Sequence, residues 1–341
     1  MDKYNWQELR KLLIAVPYEK ELDKRSYEEI SEKIIEKSIT NMDDNSLSDI
    51  KKELPIDDEL KSENKDADDP KRKNNKEGID VVLIFALPEE RTAAFKAFDI
   101  TDNYQEEYNL EGHFFYQKFK YKSYNVVSVN QSKMGNTMAA SLATRSILCF
   151  SPNLVVMTGI CAGRQQKTDI GDILLASSVY DYTAGKVVET GNLVRPDAIQ
   201  CDNDILNIYT QKTANKDDAE INRIINQKWY LEQRPSTHSK VYVKALGSGS
   251  SVIADGKIIQ DAIRTQDDLY GIDMEGYGVA VAASQLKVPF FIVKGIQDFA
   301  NRDKDNMETI DRAREFGCFS SAILASLLIP EALKLLNMQK E

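Results

Sequence analysis

Apolar residues change their spacing twice along the chain. In residues 1–55, Trp6, Leu9, Leu12 and Leu13 fall on one helical face, and Tyr27, Ile30, Ile34 and Ile35 repeat that spacing. Asp43, Asp44 or Asn45 is placed to cap a third short helix carrying Leu47 and Ile50. A unit this small has a thin core, so it reads either as an all-α docking or oligomerisation module or as a solvated helical appendage. Residues 56–78 are mostly charged and carry almost no core residues, the signature of a flexible linker. The run Lys71-Arg72-Lys73 sits beside Asp66, Asp68 and Asp69 and reads as solvated linker rather than a nucleic-acid tag.

From residue 79 the texture is different. The continuous apolar run IDVVLIFA (79–86) predicts a buried strand, and 87–98 has helical spacing. Further strands are expected at 114–119, 125–129, 153–158, 172–180, 241–245 and 289–294, and helices at 137–149, 206–211, 257–264, 275–286 and 309–328. Residues 215–239 are polar and read as loop. Buried strands alternating with helices predict an α/β fold over 79–341: a central mixed β-sheet flanked by helices, preceded by the small all-α domain.

Composition narrows the function classes. The 341 residues include 42% hydrophobic and 29% charged positions, ordinary for a globular protein with a sizeable core. A net charge of −10 supplies no global field toward nucleic acid or an anionic membrane. The expectation is no stretch near the roughly 20 apolar residues of a membrane span, and the charged, amphipathic N-terminus lacks signal-peptide features. The expected localisation is therefore cytoplasmic. Cys149, Cys161, Cys201 and Cys318 form no CxxC pair, so reduced, structural cysteines are expected, with no metal and no organic cofactor. Only His113 and His238 are available as histidines, so acid–base chemistry must rest on carboxylates.

Four segments end predicted strands, where open α/β sheets place ligands. Ala86-Leu87-Pro88-Glu89-Glu90-Arg91 opens the first helix, where acidic residues also serve the helix dipole. Ser132-Lys133-Met134-Gly135-Asn136 and Thr158-Gly159-Ile160-Cys161-Ala162-Gly163-Arg164 carry glycines that let backbone N–H groups approach a ligand. Their spacing fits neither a dinucleotide fingerprint nor a P-loop. The last segment joins Gly271-Ile272-Asp273-Met274-Glu275-Gly276-Tyr277-Gly278, at a helix start, to the strand end Val293-Lys294-Gly295-Ile296-Gln297-Asp298; these carboxylates also suit capping.

In this order the segments resemble the nucleoside phosphorylase superfamily, especially its methylthioadenosine/S-adenosylhomocysteine nucleosidase branch, over about residues 79–328. The Met274-Glu275 pair, the strand-end Asp298 and the loop Gly247-Ser248-Gly249-Ser250-Ser251 before Val252-Ile253 carry the resemblance. It implies cleavage of the N-glycosidic bond between ribose and a purine, chemistry that needs an acid at the base, groups holding the sugar and a nucleophile on its far face. By that resemblance Asp298 protonates or hydrogen-bonds N7, which needs a carboxyl group that keeps its proton near neutral pH, as burial would provide. Glu275 accepts the ribose hydroxyls, Met274 packs under the sugar, Glu90 activates water, Val252 and Ile253 border the purine, and Cys161, Ala162 and Gly163 line base and ribose. The two glutamates beside the first strand would repel phosphate, which favours hydrolysis over phosphorolysis.

Departures from the pattern matter as well. Valine at 252 replaces an aromatic ring, so stacking on the base is weaker or supplied elsewhere. Gln297 replaces a serine. Lys133 stands where the branch places a glycine and Arg164 where it places an apolar residue, with Arg91 nearby, while Met134 is expected to contact the substrate. Either these cations face solvent, or they meet the 5′ phosphate of a nucleotide such as AMP or ATP. The expected substrate is thus a purine nucleoside or nucleotide, adenine favoured, in a homo-oligomer (dimer or hexamer) with no nucleic-acid or membrane partner. A protein partner is expected through residues 1–55, as in effectors of bacterial antiviral defence. Methylthioadenosine salvage, phosphate-dependent phosphorolysis and a non-catalytic nucleotide sensor are the alternatives.

Overall fold

The computed structural model describes residues 78–339 apart from 101–102, 110–111, 189–190, 195–196, 214–217, 230–234, 236–237, 250–263, 265 and 301–309. The expected helical module (1–55), all of the linker but Gly78, and all of the helix at 257–264 but Arg264 lie outside the described residues.

The strands are β1 (Val81–Phe85), β2 (Gln105–Asn109), β3 (Phe114–Tyr121), β4 (Tyr124–Asn130), β5 (Leu154–Gly163), β6 (Ile173–Asp181), β7 (Gly185–Val188), β8 (Gly191–Val194), β9 (Ala198–Gln200), β10 (Val241–Ser248), β11 (Leu269–Asp273) and β12 (Phe290–Asp298). The helices are α1 (Pro88–Ala97), α2 (Asn136–Phe150), α3 (Asn203–Thr213), α4 (Ala219–Lys228), α5 (Gly276–Gln285) and α6 (Ile310–Met338).

The main sheet runs β11-β10-β6-β12-β5-β1-β4-β3-β2, with β9 on β6, and it is mixed. β1 lies parallel to β4 and β5, β12 parallel to β5, and β12 antiparallel to β6. Every residue of β1 is buried, as expected for a strand covered on both faces. Helices flank the sheet in pairs, α1 with α6 and α2 with α5, and α6 packs on β12 and β5.

β5 shapes the site. All ten of its residues are buried, and they divide between two neighbours. Its first part pairs with β1, while Ala162 and Gly163 pair antiparallel with Ile272 and Gly271 of β11. This second pairing closes β5, β12, β6, β10 and β11 into a ring, so the ends of β5, β11 and β12 meet.

Two expectations are corrected. Residues 215–239 are not all loop: α4 presents Ile221 and Ile225 one turn apart to the core, and buried Trp229 follows, packed on Phe316 and Phe319. Polar residues between those apolar positions hide a stripe that the helix period restores. The chain also does contain a helix long and apolar enough to cross a membrane, Asp311–Met338, but 89% of its most apolar window is buried in the fold. That hydrophobicity belongs to the core packing of α6. The edge strand β2 and the short β11 were not anticipated, because QEEYN is exposed and LYGID carries no alternation.

Candidate active site

Where β5, β11 and β12 end against the start of α1, a cavity of about 280 Å³ opens, near the lower bound of about 300 Å³ usual for small-molecule sites. Its wall includes Leu87 and Glu90 of the first turn region, Met134, Ile160, Cys161 and Ala162 of β5, Tyr182, Ile272 to Glu275, Gln297, Asp298 and Arg314.

Glu90 enters through the geometry of its helix. It is the third residue of α1, so its side chain turns back over the N-terminus, where Oε2 accepts from Ala86 N–H at 2.8 Å and Leu87 N–H at 3.0 Å. Oε1 crosses to Ile160 N–H of β5, at 3.1 Å. This crossing needs Gly159: a Cβ there would stand 2.1 Å from Oε1. Capping and site formation are therefore one arrangement. Burial raises the Glu90 pKa, while Lys294 and the three backbone donors act against it.

Glu275 sits at the N-cap of α5, yet its carboxylate does not cap. Oε1 accepts from Gly135 N–H, at 2.9 Å. Gly135 has φ 115°, a conformation glycine adopts freely, and this turns its N–H toward Glu275. The cap comes from Asp273, which accepts from Gly276 N–H at 3.0 Å and from Ser248 Oγ at 2.7 Å. Burial, then the neighbouring Asp273, pushes the Glu275 pKa up to about 7.

Asp298 ends β12 beyond a register shift between Ile296 and Asp298, opposite Cys161 and Ala162. Such a bulge re-aims the following side chain, and Asp298 lines the cavity. Its Oδ1 accepts from Ala300 N–H at 2.7 Å, and its Oδ2 from Gln297 Nε2 at 3.1 Å.

Beneath these groups lies Lys294, whose Nζ is 3.0 Å from Asp273 Oδ2. Burial opposes its charge, but Asp273, Glu90 and Glu275 outweigh that and hold its pKa above the ordinary lysine value. Three carboxyl groups (Glu90, Asp273 and Glu275) thus share one buried ammonium, an excess that favours a developing positive charge in the cavity. Burial, with Asp273 next, pushes the Cys161 thiol up, so it is a neutral wall atom.

The structure brings Glu90, Met134, Cys161, Ala162, Met274, Glu275 and Asp298 together. Gly163 stands outside the wall, buried against Thr168 and Ile296. Lys133 is exposed and absent from the wall. So is Arg164 absent, its Nη1 donating to the Asp267 carbonyl at 2.6 Å. Val252 and Ile253 lie outside the described residues. Sequence reasoning missed Asp273, Lys294, Tyr182 and Arg314 as parts of the site. A lysine inside an apolar strand, VKGI, was a readable signal for Lys294. Tyr182 and Arg314 carry no such local sign.

The family model of the phosphorylase superfamily matches residues 80–329. An uncharacterized protein, y4jS of Sinorhizobium fredii, is 31% identical over 61% of this chain and 50% of its own. ATP nucleosidase Cap17 of Escherichia coli is 27% identical over 66% of this chain and 47% of its own. The chain therefore spans about half the length of these curated relatives. Among solved structures, a 5′-methylthioadenosine/S-adenosylhomocysteine nucleosidase from Colwellia psychrerythraea in complex with adenine superposes with TM-score 0.58 at 20% identity, over 75% of this chain and 96% of that one.

Proposed function

The chain belongs to the phosphorylase superfamily, and on that premise we propose that it hydrolyses the ribose–base bond of an adenine nucleoside or nucleotide. The observation that carries this reading is the placement of Glu90, Glu275 and Asp298 around one cavity. Glu90, anchored by backbone N–H groups and made more basic by burial, takes a proton from water as the oxygen closes on C1′. Glu275 accepts the 2′- and 3′-hydroxyls. The C1′–N9 bond breaks, its electron pair leaves with the base, and Asp298 supplies a proton at N7. The oxocarbenium character of the sugar is met by the excess of carboxylates.

Water rather than phosphate is the nucleophile in this reading, because the buried Glu90 carboxyl lines the cavity as a base that can take a proton from water. The similarity to an ATP nucleosidase supports AMP or ATP as substrate, and residues 1–55 then serve as a docking module in an effector of antiviral defence. A homo-oligomer belongs to the same proposal.

The test is chromatography of the protein incubated with methylthioadenosine, adenosine, AMP and ATP, each with and without phosphate. Adenine released from AMP or ATP without phosphate is the expected result. Release from methylthioadenosine alone returns the chain to salvage, and release only with phosphate makes it a phosphorylase.

A further inference from the structure

We propose that Arg314 binds the 5′-phosphate of the substrate, a specificity role that rests on the nucleotide reading above. Arg314 is the one cation among the described residues of the cavity wall. It reaches the wall from the first turns of α6, a helix whose other work is core packing. Its present partner is Glu89, with Nη2 donating to Oε1 at 2.8 Å.

The unused part of the guanidinium is informative. Nε and Nη2 share the edge through which arginine grips a carboxylate or phosphate with two parallel N–H groups. Here Glu89 takes only one of the pair, while Nε is buried with no hydrogen-bond partner among the described residues. A buried donor left unmade is costly. A phosphate oxygen entering the cavity would satisfy Nε and compete with Glu89 for Nη2. Glu89 thus acts as a stand-in anion that keeps the fork oriented.

The location also fits. Arg314 shares the wall with Leu87 and Glu90, whereas the carboxylates assigned to sugar and base are answered by Lys294 and backbone N–H groups. Lys133 and Arg164 do not line this wall, and Arg164 Nη1 is committed to the carbonyls of Asp267 and Leu269. Among the described residues, the cation on this wall available to a 5′ anion is Arg314.

The experiment compares the full chain with Arg314→Met and Glu89→Gln, using adenosine, AMP and ATP. Arg314→Met is expected to lower kcat/KM on AMP and ATP about 10- to 100-fold, mainly through KM, and to leave adenosine within about twofold. Glu89→Gln removes the competitor and is expected to lower KM for AMP without changing it for adenosine. Equal losses on adenosine and AMP in Arg314→Met, or an unchanged AMP-to-adenosine ratio, would overturn the assignment and leave Arg314 a structural tie to α1. If the parent chain cleaves adenosine but neither AMP nor ATP, the nucleotide reading fails first and the assignment falls with it. If nothing is turned over, calorimetric titration of AMP against adenosine into parent and Arg314→Met decides the same question: AMP affinity lost selectively supports the role, and no selective loss rejects it.

Discussion

Lys294 Nζ lies 3.0 Å from Asp273 Oδ2, with the two side chains only 1% and 2% exposed. The pair joins β12 to β11, and Asp273 also caps α5, so the site's charge balance and its scaffold share one contact. Lys294→Met strands a buried carboxylate among Glu90 and Glu275, and is expected to cost about 3–5 kcal/mol of stability. Urea denaturation reads this directly; a loss under about 1 kcal/mol would mean that the carboxyls simply take up protons.

Glu90→Gln keeps the shape of the α1 cap but removes the base that the proposed reaction requires. Adenine release is expected to fall about 10²- to 10⁴-fold with the ligand still bound. Gly159→Ala tests the same group from the other side, since its Cβ would meet Glu90 Oε1. A comparable loss of rate in a folded variant is expected, read by single-turnover kinetics beside circular dichroism. Full activity in Gly159→Ala would show that the crossing to Ile160 is dispensable.

The Glu275 carboxyl, pushed up to about 7 by burial and Asp273, makes rate and stability move in opposite directions with pH. On the proposed reading ionised Glu275 accepts the ribose hydroxyls, so kcat/KM is expected to rise as pH increases through that value. An acid whose folded pKa is raised binds its proton more tightly when folded. Its stability contribution is complete below the unfolded pKa of about 4 and is lost as pH climbs to about 7. Burial moves Glu90 in the same direction. The ligand-free Tm should therefore fall between about pH 5 and 8, and Glu275→Gln should flatten part of that slope. A Tm that climbs across this window would contradict the assignment.

Tyr182 lines the cavity with a buried hydroxyl that has no hydrogen-bond partner among the described residues. On the proposed reading its ring is the candidate for the base-stacking surface, since valine rather than an aromatic residue stands at 252. Tyr182→Ala is expected to raise KM for adenosine about 10-fold, and Tyr182→Phe to raise it far less, as base–aromatic stacking of about 1–3 kcal/mol implies. Equal effects in the two variants would assign the role to the hydroxyl instead.

How far each feature was legible follows from the range of the interaction that makes it. Buried strands such as IDVVLIFA and the helix at 137–149 declare themselves by local periodicity, because burial on one or both faces acts residue by residue. Glu90, Glu275 and Asp298 were legible as carboxylates at the ends of elements, where the chain turns toward the ligand face. Tertiary structure alone decided that β5 bends from β1 to β11, that Glu90 crosses at Gly159 to Ile160, and that Lys294 meets Asp273. It also placed Arg314, 225 residues beyond its partner Glu89, on the cavity wall while Arg164 spends its charge on backbone carbonyls. A side chain's type and its local period are written in the neighbouring residues. Which distant backbone or charge it meets depends on how sheet and helices close around it, and no short window of sequence contains that geometry.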